Sequence, residues 1–312
     1  MKRRTFHCVA PGTLAEVVAK GLGCSPDDAR ALVERGAVYV RGRRQREPAR
    51  EIVSETPVLV VLEERGRASI GPLPAPPPLR ILHEDADLLA VDKPAGLPAQ
   101  PTPGGMGSLL LLASDHLGRE AGLVHRLDRD TSGVTVFGKS AAATSALAAS
   151  FRTGSVRKQY LAVTGPGLPP SGTCTLRLAR DPRRPGRWLA REHDGLEAET
   201  RFRRLGGTAS HALAALWPRT GRTHQIRAHL AALGAPIAGD RLYGGTTTLD
   251  GRPVGRTLLH AHRLEVPHPR TGEPLPLCAA PPEDLAPFFA ALGVSPPESE
   301  LLTAAGAGTP RR

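Results

Sequence analysis

The sequence predicts an α+β protein: a catalytic-sized domain on a mixed or antiparallel sheet, preceded by a small α/β unit. Three observations carry that expectation. Short apolar or alternating segments crowd residues 80–290, with only a few helices among them. They show no regular strand–helix–strand alternation. A Pro- and Gly-rich stretch, "GRASIGPLPAPPPL" (66–79), separates them from an earlier cluster of helix and strand signals. The expected division is residues 1–65, a linker 66–79, a main domain 80–291 and a disordered tail 292–312.

Each element has a local reason. "TLAEVVAKGL" puts Leu14, Val17, Val18 and Leu22 on one helical face. "SPDDARALVERG" is a second helix, with Ser25 as N-cap, Pro26 as first residue, Asp28 at the capping-box position and Gly36 as stop. "AVYVRG" and "PVLVVLEE" read as strands joined by the basic turn "RGRRQREPAR". Beyond the linker, strands are expected at 87–92, 121–124, 134–138, 158–164, 174–179, 199–205, 212–217 and 257–266. "SAAATSALAASFRTG" is a helix capped by Ser140 and stopped by Gly154, and "RTHQIRAHLAALG" is another, stopped by Gly234. "HPRTGEP" turns a late hairpin.

Composition narrows the function. The 312 residues are 40% hydrophobic, which fits a globular chain. No apolar run reaches the ~20 residues a membrane span requires. "MKRRTFHCVAPGTL" has no apolar core of a secretory signal. Cys8, Cys24, Cys174 and Cys278 are scattered without a CxxC pair, which argues against a zinc ribbon or a disulfide framework and for a reducing cytoplasm. Lys plus Arg number 41 against 30 acids, a net charge of +11, dominated by Arg. That balance suits a polyanion partner, because the guanidinium fork matches phosphate; a genome-wide Arg bias would give the same balance.

Two stretches could carry chemistry. "GLVHRLDRDTSGVTVFGKS" (122–140) sets His125, Arg126, Asp128, Arg129 and Asp130 between two apolar segments. It reads either as an exposed ion-paired turn or as a turn presenting one carboxylate into a cleft, with arginines favouring its charged form. "WPRTGRTHQIRAHLAALGAPIAGDRLYG" (217–244) places Arg222, His224 and Arg227 at a helix start, where an anion is the natural guest. His224 and Arg227 are three apart and share a face. Gly133–Ser140 also spells GxxxxGK[ST], but Val134–Phe137 prefers extended strand, which would take the backbone N–H groups a phosphate loop needs. Ser132 lacks a GxSxG elbow, and His260, His262 and His268 read as packing or surface residues rather than a metal set.

"HRLDRDTSG" together with "GRTHQIRAHL" resembles the RluA family of pseudouridine synthases, and "LAVDKPAGLPAQP", "RKQYLAV", "GAPIAGDRLYG" and "LLHAHRLEVPHPRTGEPL" follow in that family's order. The resemblance covers about residues 80–285. It implies a uridine isomerase with no metal or cofactor. Asp128 would be the catalytic aspartate, as nucleophile or as base. Tyr160 would stack on the uracil, Arg227 would pair with the aspartate, and Arg126 would fill the gap left by a flipped nucleotide. His125, Arg222 and His224 would contact substrate RNA, and Leu258 or Leu259 would line the pocket. Residues 13–63 resemble an S-four-type RNA-binding domain, which implies RNA contacts by Arg30, Arg41 and Arg43; "YVRG" departs from that pattern, where Asn before the Gly is more usual. Members carrying that module commonly modify large-subunit ribosomal RNA, so a ribosomal (or transfer) RNA substrate is expected; the chain is also expected to be a monomer. The competing expectation is a non-catalytic RNA-binding or ribosome-assembly factor on the same scaffold.

Overall fold

The computed structural model describes residues 2–40, 43–54, 56–62, 78–101, 107–291 and 294. The chain divides into two compact units, Met1–Pro76 with Gln100–Ser108 and Pro77–Ala99 with Leu109–Arg312. Arg41, most of the expected linker and nearly all of the expected tail lie outside the described residues.

The first unit contains β1 (Lys2–His7), β2 (Gly12–Thr13), α1 (Leu14–Leu22), α2 (Pro26–Glu34), β3 (Val38–Val40), β4 (Arg43–Gln45), β5 (Glu51–Ile52) and β6 (Pro57–Leu62). Thr13 and Glu16 form a full capping box on α1, a signal the apolar periodicity alone did not supply. On α2 the Ser25 hydroxyl accepts from the Asp28 N–H at 3.1 Å and donates to the Asp28 carboxylate at 2.7 Å. Leu14, Val17 and Val18 of α1 and Ala29, Leu32 and Val33 of α2 close one core with Val38, Val58 and Val60. The sheet order is β1-β6-β3-β4. The basic segment after β3 is therefore more than a turn. It returns as β4 along the open edge of β3, while β6 pairs with the other edge.

The second unit is laid on a ten-stranded mixed sheet. Its elements are β7 (Arg80–Glu84), β8 (Leu88–Lys93), α3 (Leu109–Leu117), β9 (Gly122–Leu123), β10 (Ser132–Gly138), α4 (Ala141–Thr153) and β11 (Arg157–Thr164). Then come β12 (Ser171–Cys174), β13 (Arg177–Arg180), β14 (Trp188–Arg191), β15 (Thr200–Gly207), β16 (Ala212–Pro218) and α5 (Gln225–Ala232). β17 (Thr248–Leu249), β18 (Arg252–Pro253), β19 (Leu259–Pro267), β20 (Pro274–Cys278) and α6 (Ala286–Ala291) complete the unit. The sheet runs β12-β15-β16-β11-β19-β10-β8-β7, with β20 paired to β19 and β9 to β10.

The strand expected at 174–179 is broken. β12 ends at Cys174 on the main sheet, and β13 leaves it to pair with β14 as a separate hairpin. The break is fixed by the Leu176 carbonyl, which accepts from His229 Nε2 on α5 at 2.9 Å. β10 is buried throughout. Its residues lie in ladders with β8, β9 and β19, so the GxxxxGK[ST] spelling is strand, not a phosphate cradle. Pairing with β19 is parallel and confined to Ser132↔His260 and Gly133↔Ala261. Gly133 has φ 114°, and a Cβ there would run into the Ala261 carbonyl, so only glycine lets the two strands meet.

Candidate active site

The loop between β9 and β10 presents Asp128, and its backbone is held from several sides. Leu127 is buried beside it. The Asp128 carbonyl accepts from Thr131 N–H at 3.1 Å, and the Arg129 carbonyl accepts from Gly96 N–H at 2.9 Å. Lys93, fully buried, donates to that same Arg129 carbonyl at 2.9 Å and to the carbonyls of Pro94 and Leu97, each at 2.8 Å. Burial pulls the Lys93 amine down to about 7. The Asp130 carbonyl accepts from Arg256 Nη1 at 3.0 Å, while the rest of the Arg256 guanidinium grips Asp284. The backbone of this charged turn is thus anchored between buried segments, while Arg126, Arg129 and Asp130 keep exposed side chains.

α5 supplies the partner. Its start is clamped by Gln225, whose amide oxygen accepts from the Thr220 hydroxyl at 2.7 Å and the Arg222 N–H at 3.0 Å. The Gln225 amide nitrogen donates to Glu199 O at 2.9 Å and Thr200 Oγ1 at 3.0 Å. Two residues on, Arg227 Nη1 donates to Asp128 Oδ2 at 3.0 Å across 99 residues of chain. Its other edge is bidentate on Asp240, at 2.6 and 2.9 Å. Burial works against the Arg227 charge, but the Asp240 and Asp128 carboxylates outweigh it and raise its pKa. The guanidinium carbon lies 5.0 Å from the Tyr243 ring centre, and that of Arg187 lies 5.6 Å from the same ring.

Asp128 keeps 22% of its side-chain surface exposed, whereas Asp240 keeps 1%. The guanidinium therefore stands between a sealed carboxylate and an accessible one. Tyr160 on β11 is half-buried. Burial first, and the Asp128 charge second, push its phenol well above the ordinary range, so it is neutral near pH 7. His224 caps α5 with its Nε2 3.7 Å from Asp128 Oδ2. Arg126 is exposed two residues before Asp128.

Other expected contacts fall differently. His125 accepts the Val136 N–H at 3.0 Å and stacks on Phe151 at 4.4 Å, so its ring is engaged in packing. Arg222 is exposed, with Nε donating to Glu197 O at 3.0 Å. Leu258 and Leu259 are buried in the core cluster that includes Ile226 and Leu230, against which Tyr160 packs. Arg30 is exposed on α2, and Arg43 begins β4. Asp240, Tyr243 and Lys93 sit in quoted motifs but carried no assigned role. Their signal was an acid thirteen residues past Arg227 in a Gly-bounded turn and a lysine ending an apolar strand.

His268 meets acids from far along the chain. Among the described residues, Asp85, Asp87 and His268 place ligand-type atoms within 4.8 Å of one another. Those atoms already have partners. Asp85 Oδ2 lies 2.8 Å from His83 and 3.1 Å from His268, and Asp87 is bidentate with Arg270. Burial works to raise Asp85, but the His83 contact and the Leu88 and Asp87 N–H groups outweigh it and hold it well below the usual carboxylate range.

Residues 87–232 match the family described as RNA pseudouridylate synthase. The ribosomal large subunit pseudouridine synthase D of Xanthomonas campestris pv. campestris is 39% identical over 251 residues, covering 75% of this chain and 74% of that protein. The chain belongs to the RNA pseudouridylate synthase family. The same-named protein of Neisseria meningitidis serogroup A is 32% identical over 295 residues, 89% of this chain and 78% of that one. Among solved structures, human RNA pseudouridylate synthase domain containing 4 superposes with a TM-score of 0.58 at 27% identity, covering 70% of this chain and 95% of its own. Human RNA pseudouridylate synthase domain containing 1 gives 0.59 at 26%, covering 75% and 96%. This pseudouridylate synthase has no described helix long and apolar enough to cross a membrane.

Proposed function

We propose that this pseudouridine synthase isomerises uridine in structured RNA, with large-subunit ribosomal RNA as the substrate class. The single observation that carries the reading is the accessible Asp128 carboxylate held at 3.0 Å by Arg227, whose charge is fixed from behind by buried Asp240. The reaction is redox-neutral. The bond from the ribose C1′ to N1 breaks, the bond from C1′ to C5 forms, the C5 proton leaves and N1 gains one. Asp128 acts at the ribose or the uracil, either bonding to carbon or taking the 2′ proton. Arg227 holds it in place. Tyr160 offers a neutral ring to the uracil face. A stacked uridine must leave its neighbours to reach this site, and Arg126, exposed beside Asp128 in the chain, fills the space it vacates. The name shared by the relatives from Xanthomonas and Neisseria supports the ribosomal substrate.

The first unit serves as an S-four-type RNA-binding module, with Arg30, exposed on α2, and Arg43 as phosphate contacts. It and the net charge of +11 supply affinity for phosphate. A purely RNA-binding assembly factor would need the basic surface but not a carboxylate backed by a guanidinium and a second carboxylate. The test is tritium release from RNA transcripts labelled at uridine C5. Asp128→Asn should lower the rate by at least a thousandfold while RNA affinity changes by less than about threefold. Normal turnover by that variant would overturn the assignment.

A further inference from the structure

Both cationic or N–H groups that approach the Asp128 carboxylate face the same oxygen. Arg227 Nη1 is 3.0 Å from Oδ2, and His224 Nε2 is 3.7 Å from that atom. Among the described residues no hydrogen bond to Oδ1 is seen. The carboxylate is therefore asymmetric, with one oxygen held and one free.

The backbone of His224 is bent to make this possible. It has φ 56° and ψ 19°, the left-handed region that a residue with a Cβ enters only under strain. As N-cap of α5 it makes no side-chain bond to the helix. Its ring turns instead to Tyr243, with Nδ1 3.2 Å from the hydroxyl. That hydroxyl oxygen already accepts from the Trp188 N–H at 2.9 Å, so its own proton is free to go to Nδ1. With the phenol proton in that bond, the imidazole proton sits on Nε2, the nitrogen that faces Asp128. Burial lowers the His224 pKa, in keeping with a neutral ring.

We infer that His224 is a positioning residue for the reaction: its Nε2–H, fixed in that tautomer by Tyr243, steadies Oδ2 beside Arg227 and leaves Oδ1 as the oxygen that meets the nucleoside. The 3.7 Å gap is longer than a hydrogen bond and closes with a small turn of the carboxylate when the site fills. This rests on the reading of Asp128 as the reacting group. Tyr243 acts one step further out, and the Trp188 amide beyond it.

The test uses the full chain and the C5-tritiated transcripts. His224→Ala should lower kcat by roughly tenfold to a hundredfold with KM within about threefold. His224→Asn, which tolerates the left-handed backbone but whose amide stops short of Oδ2, should match it. His224→Gln, whose Nε2–H reaches as far as that of histidine, should recover to within about fivefold of wild type. Tyr243→Phe keeps the ring beside Arg227 and should lower kcat by about fivefold alone, yet add nothing to His224→Ala. Wild-type kcat in His224→Ala, no recovery by Gln at an unchanged melting temperature, or additive losses in the double variant would each overturn the inference. An inert Asp128→Asn beside an unaffected His224→Ala sinks only this step. A fully active Asp128→Asn sinks the reading beneath it.

Discussion

Arg227 shows how one side chain can join three parts of a chain. Its fork matches Asp240, its remaining donor reaches Asp128, and its flat face lies near Tyr243. Lysine could not do this, because an ammonium is a point charge without a planar edge. Lys93 has the opposite task. Its ammonium offers three N–H donors to three carbonyls, among them that of Arg129 beside the reacting turn. Lys93→Met should leave those carbonyls unpaired and cost on the order of 3 kcal/mol, read as a lower urea midpoint. Asp128 and Arg227 were legible as residue types in a recognisable order. Asp240, Tyr243 and Lys93 were not, because their roles exist only once distant turns meet. His125 was legible as part of the motif but not as a packing group, since nothing in the sequence reveals that Phe151 stacks on it.

Among the elements, the capped helices α1, α2 and α4 follow from their sequences, since cap, apolar face and stop agree. α3 did not, because its opening run of leucines has no period to read. The contact between β10 and β19 joins strands more than a hundred residues apart and was equally silent. It buries a neutral histidine: His260 Nε2–H donates to Ala279 O at 3.0 Å, and the Ser132 hydroxyl, 2.9 Å away, donates to Nδ1. Burial holds His260 down to about 4, below its ordinary 6.5. The unfolded chain therefore takes up this proton first as pH falls. The stability it contributes is whole above about 6.5 and is lost towards about 4, on the order of 3 kcal/mol. Urea unfolding at pH 7 and pH 4.5 should show that loss in the wild type and a smaller one in His260→Gln. Equal losses would refute the assignment.

At the scale of the whole molecule, basic charge is spread over both units: residues 1–76 with 100–108 carry 13 Lys and Arg against 9 acids, and the remaining residues 28 against 21. The proposed site residues Asp128, Tyr160, Arg227 and Asp240 all lie within Pro77–Ala99 and Leu109–Arg312. A chain starting at Pro77 should fold, keep kcat within about threefold and show a raised KM for RNA. Its affinity should also fall less steeply with salt, because fewer phosphates are neutralised. Loss of kcat in that shortened chain would show that the first unit shapes the reacting centre. Fold class was legible from strand crowding. The detached hairpin was not, because the Cys174–Arg177 break depends on a helix fifty residues away.

That hairpin has a spatial consequence. The N–H of Trp188 at the root of β14 is what holds the Tyr243 oxygen, and the arginine-rich bend just before it projects outward. A ligand docked on that bend would sit one peptide unit, and the Arg187 side chain, away from the phenol that neighbours His224.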